Sequence, residues 1–321
     1  MDKAPLHEAP SSPPCSQGRI LNEVGSAAPF QRVDKVQLAR RFGAAARHYD
    51  AHARFQQEVG QALLERMSAG EWSPTGQALD AHTALCLPEI GLAHDVTVPR
   101  RLLADLPEAG LDLGCGTGFF LPALAGRCQQ LYGLDLAPGM LQEATRRQSG
   151  ARLVCGDAEA LPFADQSLDW IFSSLALQWC ERPAQAFAEL HRVLKPGGQL
   201  FFSTLLAESL WQLREAWRTV DESAHVNRFL GLPQLRRAVA DGGFADIQLA
   251  SLTWQLAYGD LGSLLRDLKG IGASQVNDGR SQGLGNRQRL RRLGEAYERY
   301  RQPDGLLAAS YQVCLGRLVR Q

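Results

Sequence analysis

The 321-residue chain contains no run of about 18 apolar residues, so nothing in it reads as a membrane-spanning helix. Its first residues also lack the charged, apolar and small-residue order of a secretory signal, and a soluble cytoplasmic protein is expected. Seven cysteines, at positions 15, 86, 115, 128, 155, 180 and 314, form no CxxC pair and no Cys/His ligand cluster. That spacing argues against a disulfide framework and against a structural metal site, so no metal is expected. Net charge is lacking too, with 34 basic residues against 34 acidic ones. Without a cationic surplus, nucleic acid is not expected as a partner. Lysine is scarce: 30 of the 34 basic residues are arginine, and 14 basic against 8 acidic residues lie beyond position 226.

Five prolines (Pro5, Pro10, Pro13, Pro14, Pro29) stand among Ser, Gly and Ala at the start, and residues 1–32 are expected to form a disordered tail. From 33 to 67 the apolar positions Val36, Ala39, Phe42, Ala46, Tyr49, Ala53 and Val59 recur mostly at three and four, with Asp34 placed as N-cap. This predicts one or two amphipathic helices. Residues 68–107 hold scattered Gly and Pro and read as an irregular insertion. Beyond it, the apolar runs AGLDLG, QLYGLDL, ARLVCGD, LDWIFSS and GQLFFST alternate with helical patterns, which predicts βαβ units and a mostly parallel sheet. Two later runs, IQLASLTWQLAYG and YQVCLGRLVR, add strands for a total of seven, with helices inserted between and before them. The expected class is α/β over 108–321, with helices on both faces.

The sharpest local signal is Leu111-Asp112-Leu113-Gly114-Cys115-Gly116-Thr117-Gly118, a strand end running into a glycine turn before a helix. Such a turn lets backbone approach a ligand at the mouth of a parallel sheet. A dinucleotide fingerprint would need glycine where Phe119 stands, and a phosphate-binding P-loop would need Lys followed by Ser or Thr. Neither is present. The GCGTG spacing instead resembles S-adenosylmethionine-dependent methyltransferases of the class I, Rossmann-like kind. Asp135, ending the next strand, stands where an acid accepts two ribose hydroxyls. Asp157 follows the third strand. The resemblance implies that Asp157 takes the adenine amino group beside the backbone of Ala158, and that Asp112 anchors the methionine end with the Gly114 and Gly116 amides. It also brings Cys115, Thr117, Gly118, Leu136, Met140 and Leu175 into the cofactor site. Any one aspartate reads equally as a helix cap. Cys115 has no partner pattern for a nucleophile and reads as a small buried residue. The turn Leu194-Lys195-Pro196-Gly197-Gly198 resembles the family's entry into its fifth strand.

Outside the cofactor loop, RFGAAARHYDAHA at 41–53, LALQW at 175–179, VDESAHVNRF at 220–229 and LKGIGA at 268–273 together resemble the malonyl-acyl-carrier-protein O-methyltransferases of biotin synthesis. That resemblance implies methylation of the free carboxylate of malonyl carried on acyl carrier protein, with the 33–67 helices acting as a lid. Tyr49 and His52, three apart on one helix face, are then placed to close over the methyl donor, although Tyr49 reads equally as interface packing. Gln178 and Trp179 follow the fourth strand on the substrate side. A substrate carboxylate suggests a bidentate arginine, for which Arg228 and then Arg280 are the candidates. Arg40, Arg41, Arg291 and Arg292 are candidates for steering an acidic carrier protein, against the reading that they are solvated helix faces. Methyltransferases acting on small acids or quinone carbons, and a non-catalytic cofactor-binding or docking module, are the alternatives. The N-terminal helix and late motifs speak against the first, the three intact aspartates against the second.

Overall fold

The computed structural model describes residues 33–69, 72, 106–222, 225–271 and 285–321. The proline-rich start, nearly all of the 68–107 insertion, and Arg280 lie outside these residues. Asp34 caps α1 (Lys35–His52), its carboxylate accepting from the Gln37 amide at 2.9 Å. Ala53 caps the end of the helix, and α2 (Arg54–Ala69) follows directly. Val59 and Leu63 of α2 are fully buried. Each contributes about 1.5–3 kcal/mol by leaving water, which is why this helix binds the sheet firmly.

The sheet contains β1 (Ala109–Leu113), β2 (Gln130–Asp135), β3 (Arg152–Cys155), β4 (Leu168–Ser174), β5 (Leu194–Leu205), β6 (Asp246–Tyr258) and β7 (Leu307–Val319). Their spatial order is β3-β2-β1-β4-β5-β7-β6, with the first five parallel and β7 antiparallel to both neighbours. This is the seven-stranded Rossmann-like class I methyltransferase sheet, as expected. Alternation along the strands fills both faces: Phe201 points into one core and Phe202 into the other.

One face carries α2, α3 (Leu121–Ala125), α6 (Trp211–Arg218), α8 (Leu261–Gly270) and α9 (Gly285–Tyr297). The opposite face carries α5 (Pro183–Val193) and α7 (Leu232–Asp241), while α4 (Pro138–Thr145) lies against α1 and the β2–β3 edge. The Leu194–Gly198 turn is part of β5 itself. Leu168 pairs with Leu194 but Trp170 with Gln199, so the Pro-Gly-Gly run is accommodated as a bulge. No helix among the described residues is long and apolar enough to cross a membrane.

The strand order reverses between β1 and β4. In an open parallel sheet a crevice opens at the carboxyl ends of the strands at that reversal. Here the crevice is roofed by α1.

Candidate active site

A cavity of about 360 Å³ occupies this crevice. Its floor is made by the residues that leave the strands: Gly114 after β1, Asp135 and Leu136 after β2, Asp157 and Ala158 after β3, and Leu175 after β4. The glycine loop turns through left-handed backbone at Gly114, φ +71°, and Gly116, φ +54°. A side chain at Gly114 would strike Ala176, its Cβ lying 2.3 Å from that of the alanine. Both loop amides are committed within the fold. Gly114 N donates to Leu134 O at 2.7 Å, and Gly116 N donates to Asp135 Oδ2 at 2.9 Å. The loop therefore offers a ligand its shape rather than these two amides.

Asp135 also accepts from Ala137 N at 2.8 Å, so the carboxylate is held rigidly at the β2 end. Burial raises its pKa, and those two amides oppose the rise. Asp112 is 2% exposed within β1, and its Oδ2 has no hydrogen-bond partner. Burial, then the nearby Asp135 charge, pushes its carboxyl up to about 8. An orphaned buried carboxylate beside a second acid fits a cationic ligand, since an ammonium supplies both the missing donor and the missing charge. The methionine end of S-adenosylmethionine carries such a group, so the residues present fit that cofactor.

Asp157 lies at the other end. Its Oδ1 accepts from Glu159 N at 3.0 Å, and its Oδ2 accepts from Lys35 Nζ of α1 at 2.6 Å. Lys35 also reaches Glu159 Oε1 at 2.9 Å. Lys35, Phe42 and Tyr49 of α1 all line the cavity, and Phe42 meets Trp179 edge-on at 5.4 Å. Burial, then Asp135 and Asp50, holds the Tyr49 phenol well above its ordinary pKa, so it remains an O–H donor.

Of the expected cofactor residues, Gly114, Gly116, Asp135, Leu136, Met140, Asp157, Ala158 and Leu175 line the cavity. Others serve it from behind. Thr117 is buried and bonded to α1, Gly118 packs against Ala144 of α4, and Cys115 is buried against Gly133. Leu175 is held at φ +50° by Ser203, whose carbonyl and hydroxyl oxygens each accept from its amide at 3.0 Å. A strained residue fixed in this way marks a site where geometry is enforced.

Gln178 and Trp179 also line the cavity. Arg228 does not: it is exposed while its neighbours Asn227 and Phe229 face inward, because burial selects the apolar Phe229 for the core. His52 lies outside the lining as well. Its Nδ1 is 3.2 Å from Asp267 Oδ1, and its ring packs against Gly270, tying α1 to α8. Arg40, Arg291 and Arg292 are exposed and Arg41 is half-buried.

Sequence reasoning missed Lys35, Asp50, Gln56 and His225. Only the helical spacing of Phe42 to Tyr49 hinted that α1 presents one continuous face to the site. His225 stacks on Trp217 with ring centroids 3.7 Å apart and is 2.7 Å from Asp221, which Arg289 of α9 also pairs. Trp217 and His225 of that cluster line the cavity.

A family model described as a methyltransferase domain matches residues 111–202. The chain is 42% identical over 282 residues to the biotin biosynthesis bifunctional protein BioHC of Cellvibrio japonicus, a match covering 88% of this chain and 49% of that one. It is 38% identical over 291 residues to the malonyl-acyl-carrier-protein O-methyltransferase of Erwinia pyrifoliae, covering 91% and 95% of the two chains. The protein of the same name from Serratia marcescens is 39% identical over 289 residues, covering 90% and 97%. The chain thus spans about half the length of its bifunctional relative and nearly all of the others. With identity this high across both the helical roof and the sheet, the chain belongs to the malonyl-acyl-carrier-protein O-methyltransferase family.

Proposed function

We propose that the protein transfers a methyl group from S-adenosylmethionine to the free carboxylate of malonyl carried on acyl carrier protein. The observation that carries this reading is the cavity itself. It sits at the carboxyl ends of β1 to β4 with Asp135 and Asp157 on its floor and Asp112 buried in β1 beside Asp135, in a chain whose full-length relatives bear that activity in their names.

When bound, S-adenosylmethionine supplies an electrophilic methyl on a positively charged sulfur. Asp112 and Asp135 would hold its methionine and ribose portions, and Asp157 with Ala158 its adenine. The acceptor carboxylate has an ordinary pKa near 4, so it is ionised at neutral pH and needs no general base. Consistent with this, Tyr49, which α1 contributes to the cavity wall, keeps its proton. The remaining work is alignment and exclusion of water, which Phe42, Tyr49 and Trp179 are placed to do. Attack of an anion on a sulfonium extinguishes both charges, so an apolar chamber disfavours the separated charges more than the transition state.

The carrier protein is acidic, and the exposed cations of α9 (Arg291, Arg292) and of α1 (Arg40) would steer it. Arg41 belongs to the same proposed surface.

The test is mass spectrometry of malonyl-loaded and acetyl-loaded acyl carrier protein incubated with the enzyme and S-adenosylmethionine. A gain of one methyl group on the malonyl form alone, reversed by mild ester hydrolysis, is the expected result. No gain on either, with the cofactor still bound, would discard the substrate and point to small acids or quinone carbons.

A further inference from the structure

The cavity wall contains a polar group whose buried oxygen has no partner. Gln56, on the third residue of α2, lines the cavity, and its Oε1 is buried without a hydrogen-bond partner. The same cavity is lined by the apolar Phe55, Leu205, Leu210, Leu213, Trp217 and Leu265, with Ser174, Gln178, His225 and Asn227 among its polar residues. Phe55 is fixed by stacking on Tyr311 at 4.2 Å. One turn along the same face of α2, Gly60 approaches the end of β4 so closely that a Cβ there would lie 3.0 Å from Ser174 Oγ. Gln56 is therefore carried on a helix packed closely against the end of β4.

An amide buried among hydrocarbons with an unmade hydrogen bond costs stability, and a side chain of similar shape without polar atoms would avoid that cost. Its two ends exchange by a half-turn, so it can present either an N–H₂ donor or an oxygen acceptor to a ligand. Among the described lining residues the only Lys or Arg is Lys35, and its ammonium is bonded to Asp157 and Glu159.

Resting on the substrate reading above, we propose that Gln56 is the substrate-binding residue for the acceptor carboxylate, which it holds through its neutral side-chain amide rather than through an arginine. The chemistry favours this choice. A bidentate guanidinium engages both carboxylate oxygens, one of which must attack, and competes with the sulfonium for the anion. A single amide fixes one oxygen and leaves the other free. In the step itself the free oxygen forms the new O–CH₃ bond as the S–CH₃ bond breaks. The bonding pair stays on sulfur, giving a neutral ester and a neutral thioether, with no proton moved.

The experiment compares wild type, Gln56→Leu and Gln56→Glu in three measurements: methyl transfer to malonyl-loaded acyl carrier protein over a range of its concentrations, S-adenosylmethionine binding by calorimetry, and thermal melting. Gln56→Leu is expected to lower kcat/KM for the carrier substrate by at least about tenfold, the worth of one hydrogen bond to a charged group. Its cofactor affinity should stay within about twofold and its melting temperature should be unchanged or higher. Gln56→Glu, of the same shape, should lose more activity and recover part of it as pH falls and the new carboxyl protonates. A wild-type kcat/KM in Gln56→Leu would overturn the inference, as would a loss that tracks lowered melting temperature and weakened cofactor binding. A wild type that methylates no malonyl form overturns the substrate reading and this inference together, whereas an active wild type with an indifferent Gln56→Leu overturns the inference alone.

Discussion

Thr117, in the glycine loop, donates its hydroxyl to Asp50 Oδ1 of α1 at 2.6 Å, across 67 residues of sequence. The other Asp50 oxygen pairs with Arg147, whose Nε in turn donates to Thr117 O at 2.9 Å. The helical roof is thus fastened to the loop that shapes the cofactor floor, while Lys35 fastens its opposite end to Asp157. Asp50→Ala removes the first fastening and leaves the cavity wall intact. We expect cofactor affinity to fall about five- to tenfold, in line with losing a charge-assisted hydrogen bond. Amide hydrogen exchange of α1 should accelerate. Unchanged exchange in α1 would show that the fastening does not hold the roof.

Gly43 and Gly139 make a second, steric contact between α1 and α4, and it is asymmetric. A Cβ on Gly139 would lie 2.7 Å from Gly43 Cα and 2.9 Å from its carbonyl oxygen, both backbone atoms that cannot swing aside. A Cβ on Gly43 meets only ordinary contacts at 3.6 Å. Gly139→Ala should therefore cost about 1–3 kcal/mol by overpacking. Gly43→Ala should gain up to about 1 kcal/mol from helix propensity. Urea denaturation of the two variants decides the matter, and equal effects would contradict the geometry.

The pH dependence of cofactor binding follows from Asp112. Its carboxyl titrates near 8 in the fold, against about 3.9 in an unfolded chain. Between those values the folded state keeps a proton that the unfolded state has released, so this residue's contribution to stability falls as pH rises through the window. A bound ammonium favours the ionised form and expels that proton. Cofactor affinity should consequently rise from pH 6 to 7.5, by at most about tenfold per unit. In Asp112→Asn the affinity should be lower and the slope lost. Calorimetry in buffers of different ionisation enthalpy reads the released proton directly, and its absence in wild type would refute this role.

Carrier steering gives a salt-dependent prediction. Arg291 and Arg292 are exposed on α9, and Arg291 makes only a loose 3.8 Å pair with Glu295, so reversing both charges should leave the fold intact. KM for malonyl-loaded acyl carrier protein should rise several-fold at low ionic strength and converge on wild type at high salt. Cofactor affinity and any RNA binding should not change. An equal loss toward RNA would argue for a general polyanion surface.

The sheet, its helices and the cofactor floor were legible because their signals are local. Gly114, Asp135 and Asp157 announce themselves by spacing within one βαβ unit, and the alternation of apolar runs sets the strands. What escaped notice depends on packing between distant elements. Nothing around Lys35 says that it will reach Asp157, 122 positions away. Gln56 is an unremarked amide until its oxygen proves buried in the cavity wall without a partner. Arg228 follows from the rule that an anion calls for a cation, yet Phe229 takes the inward position and leaves the guanidinium in water.

The two halves of the cavity also differ in how the chain supplies them. Beneath the α1 roof, the floor of the proposed cofactor site comes from one continuous stretch, Leu113 to Cys180, whereas the proposed acceptor wall is assembled from α2, the end of β5, α6, residues 225–229, α8 and Tyr311 of β7. The first can be inherited as a cassette. The second exists only when several separate parts of the chain agree, so a change of acceptor demands coordinated substitutions at positions far apart in the sequence.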